Sequence, residues 1–151
     1  MRSAMLIPLI AAASAVHLNA QEAVPSGAGS RPNHPEEVAW IDEGEQGFVY
    51  RRFPGGQRLY VFDGDRPGQS MCNAGCAAAW PPVPAPADTA NVGPWTVIVR
   101  KDGSRQWAIK GRPVYTRFHD SPENPSGDGY EGKWHVVPYV SRDVVAKQQG
   151  K

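Results

Sequence analysis

Apolar and polar positions along this chain follow a period of two far more often than a helical period. Gly47 to Arg52 (GFVYRR) alternates weakly and mixes aromatic with β-branched residues, the composition of a half-buried strand. Pro54-Gly55-Gly56 signals a turn, and Arg58 to Phe62 (RLYVF) reads as a second strand, so the pair predicts a hairpin. Trp95 to Arg100 (WTVIVR) alternates cleanly, Asp102-Gly103 centres a turn, and Arg105 to Lys110 (RQWAIK) returns. Val114 to Phe118 and Trp134 to Val140 predict two further strands, separated by a loop rich in Gly, Pro, Ser and Asp. Helical character is confined to Ser70 to Trp80 (SMCNAGCAAAW): Ser70 can cap it, three alanines favour it, and Pro81-Pro82 stop it. The fold class predicted is mainly β, a small two-repeat sandwich or barrel-like domain with one short helix carrying the Cys pair. Five Trp, five Tyr and four Phe are expected to supply much of its core.

The pattern also repeats at long range. Leu59-Tyr60, with Asp65 five residues after the Tyr, returns as Val114-Tyr115 with Asp120. Gly56 and Gly111 precede the two tyrosines at the same distance, and Trp80 and Trp134 follow the two aspartates by fifteen and fourteen residues. Self-similarity of this kind marks one structural unit used twice, each copy closing against the other. The copies span about residues 45–82 and 94–139, joined by the loop VPAPADTANVG.

Tyr60-x-Phe62-x-x-Asp65, followed by Ser70-x-Cys72-x-x-x-Cys76 and Trp80-Pro81-Pro82, resembles a bacterial envelope family of secreted repeats, predicted lipoproteins with a Y-x-[FWY]-x-x-D motif. Gly103, Gln106-Trp107, Gly111, Pro113-x-Tyr115 and Trp134-His135 resemble the second half of that family. The resemblance covers about residues 45 to 139, and its Cys–Trp-Pro-Pro block is the most specific part. The chain departs from the pattern where Arg117 stands in place of the second aromatic, with Phe118 one position on, and in lacking the lipoprotein Cys. The resemblance implies a fold and an exported location, and no activity.

The ends agree with export. Arg2, the apolar run MLIPLIAAASAV and the small-residue site Leu18-Asn19-Ala20 read as a cleaved signal over 1–20, too short to span a bilayer. Residues 21–36 are rich in Pro, Gly, Ser and Ala and read as a flexible linker to a domain over 37–141, with a tail at 142–151. The mature chain is expected to have no transmembrane span and to be periplasmic or secreted. The acidic residues Glu36, Glu37, Asp42, Glu43 and Glu45 are expected to form a solvated lead-in. With 16 basic and 15 acidic residues the charge is balanced, which argues against a nucleic-acid binder.

Candidate chemistry is sparse. Cys72 and Cys76 are the only cysteines, and in an oxidising compartment their spacing on a helical turn fits a structural disulfide. The sharper alternative is a redox or copper site in which Met71, Cys72, Cys76, His119 and His135 supply soft and imidazole donors. Asp65 and Asp120 are candidates for a carboxylate pair, as in glycoside hydrolysis, although an Asp at a strand end more simply accepts turn N–H groups. Asp63-Gly64-Asp65 opens like a calcium loop, but Ala74 stands where the bidentate Glu is required. No G-x-S-x-G, H-E-x-x-H or phosphate-binding Gly loop occurs. The sequence therefore reads as a non-catalytic binding or structural module without a cofactor, its partner an unidentified envelope protein or small ligand, with periplasmic redox or copper handling as the alternative.

Overall fold

The structure, a computed structural model, describes residues 33–44 and 48–137; the expected leader, most of the linker and the C-terminal tail lie outside them. Its strands are β1 (Val38–Asp42), β2 (Phe48–Arg52), β3 (Tyr60–Phe62), β4 (Trp95–Val99), β5 (Arg105–Ile109), β6 (Arg112–Pro113) and β7 (Trp134–Val136), with the short helix α1 (Gly75–Ala79) between β3 and β4. They form three small antiparallel sheets, β1-β2, β3-β7 and β4-β5-β6. The class is the mainly-β one that the alternation predicts. No helix among the described residues is long and apolar enough to cross a membrane.

The β4–β5 hairpin forms as its alternation requires, with Val97 opposite Trp107. Its turn is closed locally: the Asp102 carboxylate accepts from the Ser104 amide at 3.0 Å and the Ser104 hydroxyl at 2.6 Å. The β5–β6 turn is tighter. Lys110 (φ 49°) and Gly111 (φ 77°) are both in the left-handed region, as a two-residue hairpin turn of the primed type needs.

Val114 to Phe118 does not form the strand expected of it: β6 lies just before it, and within it only Tyr115 makes bridges, to Tyr60 and Pro82. Three further local expectations change. First, the acidic stretch is not a solvated lead-in: part of it is β1, which pairs along its whole length with β2, from Val38 opposite Arg52 to Asp42 opposite Phe48. Val38 is buried, and Glu43 is held by Arg51 at 2.6 Å and by Arg58, so two of the apolar and acidic positions there are anchors. Second, the hairpin expected of β2 and β3 is short. Leu59 donates to the Tyr50 carbonyl at 3.1 Å and Arg51 bridges Arg58, but beyond Leu59 the chain leaves β2, and β3 pairs with β7 instead. Third, the helix starts at Gly75, after Ala74 at φ 48°, with no side-chain cap. It contains Cys76 but not Cys72, and the Ser70 hydroxyl is engaged elsewhere, as described below.

The period of two divides the core. Leu59, Val61 and Val114 point into a cluster with Trp95, Trp107 and Val83, while Tyr60 and Tyr115 point the other way, into a cluster with Trp80, Trp134 and Cys72. Each repeat segment thus serves two cores at once, and the second, aromatic one holds the repeat motif.

Candidate functional site

The two copies meet at their tyrosines. Tyr60 and Tyr115 lie opposite each other as an antiparallel bridge, each amide donating to the other's carbonyl, at 2.8 Å and 2.9 Å. Matching bonds flank them: Val137 donates to the Leu59 carbonyl at 2.8 Å, and Val83 to the Val114 carbonyl at 2.9 Å. Because the strands are antiparallel, each tyrosine side chain reaches the aspartate of the other copy. The Tyr60 hydroxyl donates to Asp120, and the Tyr115 hydroxyl donates to Asp65 at 2.8 Å. Each aspartate also accepts a backbone N–H from its own copy: Asp65 from Met71 at 2.7 Å and Asp120 from Ser126 at 2.9 Å. The turn-capping role expected of the aspartates is present, and the motif crosses between copies as well.

The tryptophans stack on the same axis. Trp80 and Trp134 are parallel, with ring centroids 3.7 Å apart and planes 3° from each other. Phe62 stacks on Trp134 at 4.5 Å. In the equivalent place of the second copy the Arg117 guanidinium sits 5.3 Å from the Trp80 ring and 4.2 Å from that of Tyr130. A cation over an aromatic face substitutes for an aromatic pair, so the departure at Arg117 preserves the layer. Gly127 lies under Tyr60: a Cβ there would stand 2.6 Å from the Tyr60 ring, which is why this position of the loop carries no side chain.

A second polar chain runs from the Tyr115 hydroxyl. Its only hydrogen goes to Asp65, so the Ser70 hydroxyl, 2.7 Å away, is the donor to it. Ser70 accepts from Arg100 at 2.7 Å, and Arg100 also donates to Gln106 at 2.6 Å and to the Cys72 carbonyl at 2.6 Å. The sequence marks Gln106 only as part of the family pattern and does not single out Arg100. The one signal for Arg100 is the β4 alternation, which puts it on the same face as buried Ile98.

Burial drives the Tyr60 and Tyr115 hydroxyls well above the ordinary phenol range, and the neighbouring aspartate charge adds to it. Burial also raises the Asp65 carboxyl, overriding the hydrogen bonds from Met71 and Tyr115 that favour its charged form. A phenol whose folded value is raised contributes stability that is whole below about pH 10, its unfolded value, and is lost as pH rises through the folded one. Alkaline titration is therefore expected to leave Tyr60 and Tyr115 protonated until the domain unfolds. The check is tyrosinate absorbance followed together with near-ultraviolet circular dichroism. Ionisation of all five tyrosines near pH 10 with the fold intact would contradict it.

The remaining candidates are dispersed. Cys72 and Cys76 are joined as a disulfide, with Cα atoms 5.2 Å apart. His135 pairs with Asp63 at 2.7 Å, His119 is exposed with its ring against Phe118, and Met71 is 43% exposed. Among the described residues no three His, Cys, Asp or Glu side chains gather into a metal-holding group. Of the copper donors, Cys72 and Cys76 are joined to each other while His135 lies against Asp63 and His119 against Phe118, and Asp65 and Asp120 each face a tyrosine of the opposite copy.

Residues 96–138 match Lipoprotein_15, a secreted repeat of unknown function. The secreted-repeat match lies within the second copy and includes Tyr115, Asp120 and Trp134, and it agrees with an exported protein. No curated protein and no solved structure matches the chain.

Proposed function

We propose that this protein is a non-catalytic binding or structural module of the bacterial envelope, released into the periplasm by its leader. The observation that supports this reading best is the crossing of Tyr60 to Asp120 and of Tyr115 to Asp65. The side chains that repeat in the sequence are engaged with one another in the interior, so the motif serves to lock two copies into one body. A hydroxyl held by a carboxylate, and a carboxylate already accepting a phenol and a backbone N–H, is poorly disposed to bind and turn over a substrate.

The reading is tested at Asp65. Asp65→Asn is expected to lower Tm by several degrees, since a hydrogen bond to a charged group is worth about 1.5–3 kcal/mol. Unchanged Tm with loss of a measured binding or catalytic activity would oppose the structural role of the motif. For the copper alternative, the intact mass of protein isolated from periplasm without chelators is decisive: a mass two hydrogens light with nothing bound opposes it, and a stoichiometric metal with free thiols supports it.

A further inference from the structure

We infer that the cleft between the end of β4 and the Cys72 segment binds a carboxylate carried on a short apolar group. This deepens the reading above, because it names the ligand chemistry of the same module. The cleft has a volume of about 450 Å³, within the range of small-molecule sites. Its lining includes Ser70, Met71, Asn73, Val99, Arg100 and Lys101.

Arg100 carries the argument. It is only 5% exposed, yet every acceptor it reaches is neutral: the Ser70 hydroxyl, the Gln106 amide oxygen and the Cys72 carbonyl. Its Nε–H, also buried, has no acceptor among the described residues. A buried cation is costly unless an anion compensates it. Among the described residues no carboxylate bonds it directly: Asp65 is linked to it through the Ser70 and Tyr115 hydroxyls, and Asp102 acts on it only through space. Lys101 adds a second cation at the rim. The carboxylate of the next residue, Asp102, keeps its charge and is engaged in its own turn by the Ser104 amide and hydroxyl.

The apolar half of the ligand follows from the walls. Met71 and Val99, 43% and 67% exposed, are two of the five large apolar side chains most open to solvent among the described residues, and both line this cleft. A second cleft contrasts with it: Asp63 and Asp65 lie there beside Arg66, Lys110 and Arg112, and Arg112 pairs directly with Asp63 at 2.9 Å. A guanidinium pairs with carboxylates and phosphates alike, and two apolar walls suit a carboxylate attached to a short alkyl or side-chain group.

The experiment is a titration of the intact purified protein with sodium hexanoate, read by amide and Arg Nε–H nuclear magnetic resonance. Saturable shifts at Arg100 Nε–H and at the Met71 and Val99 amides are expected, with Kd of about 1 mM or tighter. Hexan-1-ol, and sodium chloride or phosphate at matched ionic strength, are expected not to reproduce them. Val99→Asp and Lys101→Glu lie on exposed positions and should keep the fold while weakening binding about tenfold or more, through charge repulsion in the cleft. Absence of saturation, equal shifts with phosphate or chloride, or unchanged affinity in Val99→Asp would each overturn the proposal. Such a failure removes this site and leaves the Asp65→Asn result standing, whereas failure of that stability test leaves hexanoate binding untouched.

Discussion

Trp134→Ala is expected to destabilise the domain by about 3–5 kcal/mol, the usual cost of deleting a buried aromatic. Trp134 is 3% exposed and lies between Phe62 and Trp80, with Tyr115 edge-on at 5.2 Å. Neither neighbouring ring can close the gap without leaving its own strand or helix end, because Phe62 is held by the β3–β7 ladder and Trp80 by the hydrogen bond its backbone N–H donates to the Cys76 carbonyl. The loss is comparable to the whole stability of many domains, about 5–15 kcal/mol, so a fall in Tm of more than about 12 °C should follow. Urea denaturation followed by far-ultraviolet circular dichroism measures it. A loss below about 1 kcal/mol would mean that the stacked layer does not join the copies.

The second large effect is a coupling. Tyr60→Phe removes a hydrogen bond to the buried Asp120 carboxylate and should cost about 1.5–3 kcal/mol. Asp120→Asn should cost a similar amount, through weaker bonds from Tyr60 and from Ser126. In a double-mutant cycle the pair should couple by about 0.5–3 kcal/mol, while Tyr60→Phe with Asp65→Asn should be close to additive. Adjacency in sequence favours the opposite outcome, since Tyr60 and Asp65 share one motif and Tyr60 and Asp120 are sixty residues apart. Coupling of Tyr60 to Asp65 in place of Asp120 would overturn the crossed arrangement.

The contrast between those two cycles marks how far the sequence was readable. The β4–β5 hairpin was legible because alternation and the Asp102-Gly103 turn act within a few residues. The repeat was legible too, and with it the expectation that each Asp caps its own turn, since Met71 and Ser126 are six residues from Asp65 and Asp120. The strand β1 was not, because Glu36, Glu37, Asp42 and Glu43 surround its buried Val38 and make a paired strand look like a solvated run. Ser70 read as a helix cap, whereas Arg100 and Tyr115 claim its hydroxyl, and no local signal distinguishes the two uses.

By itself the amino-acid sequence determined the mainly-β class of the fold, the β4–β5 hairpin and the recurrence of the Tyr, Asp and Trp pattern. These depend on side-chain periodicity and turn chemistry, which are properties of neighbouring residues. Only the tertiary structure decided that β3 pairs with β7, that Tyr60 answers Asp120 and Tyr115 answers Asp65, that Arg117 takes an aromatic's place over Trp80, and that Arg100 is buried beside an open cleft. Each of these is a contact between distant segments. Its energy depends on where a partner's hydroxyl, ring or carbonyl is delivered in space, and the antiparallel pairing at Tyr60 and Tyr115 delivers each of these hydroxyls to the aspartate of the opposite copy.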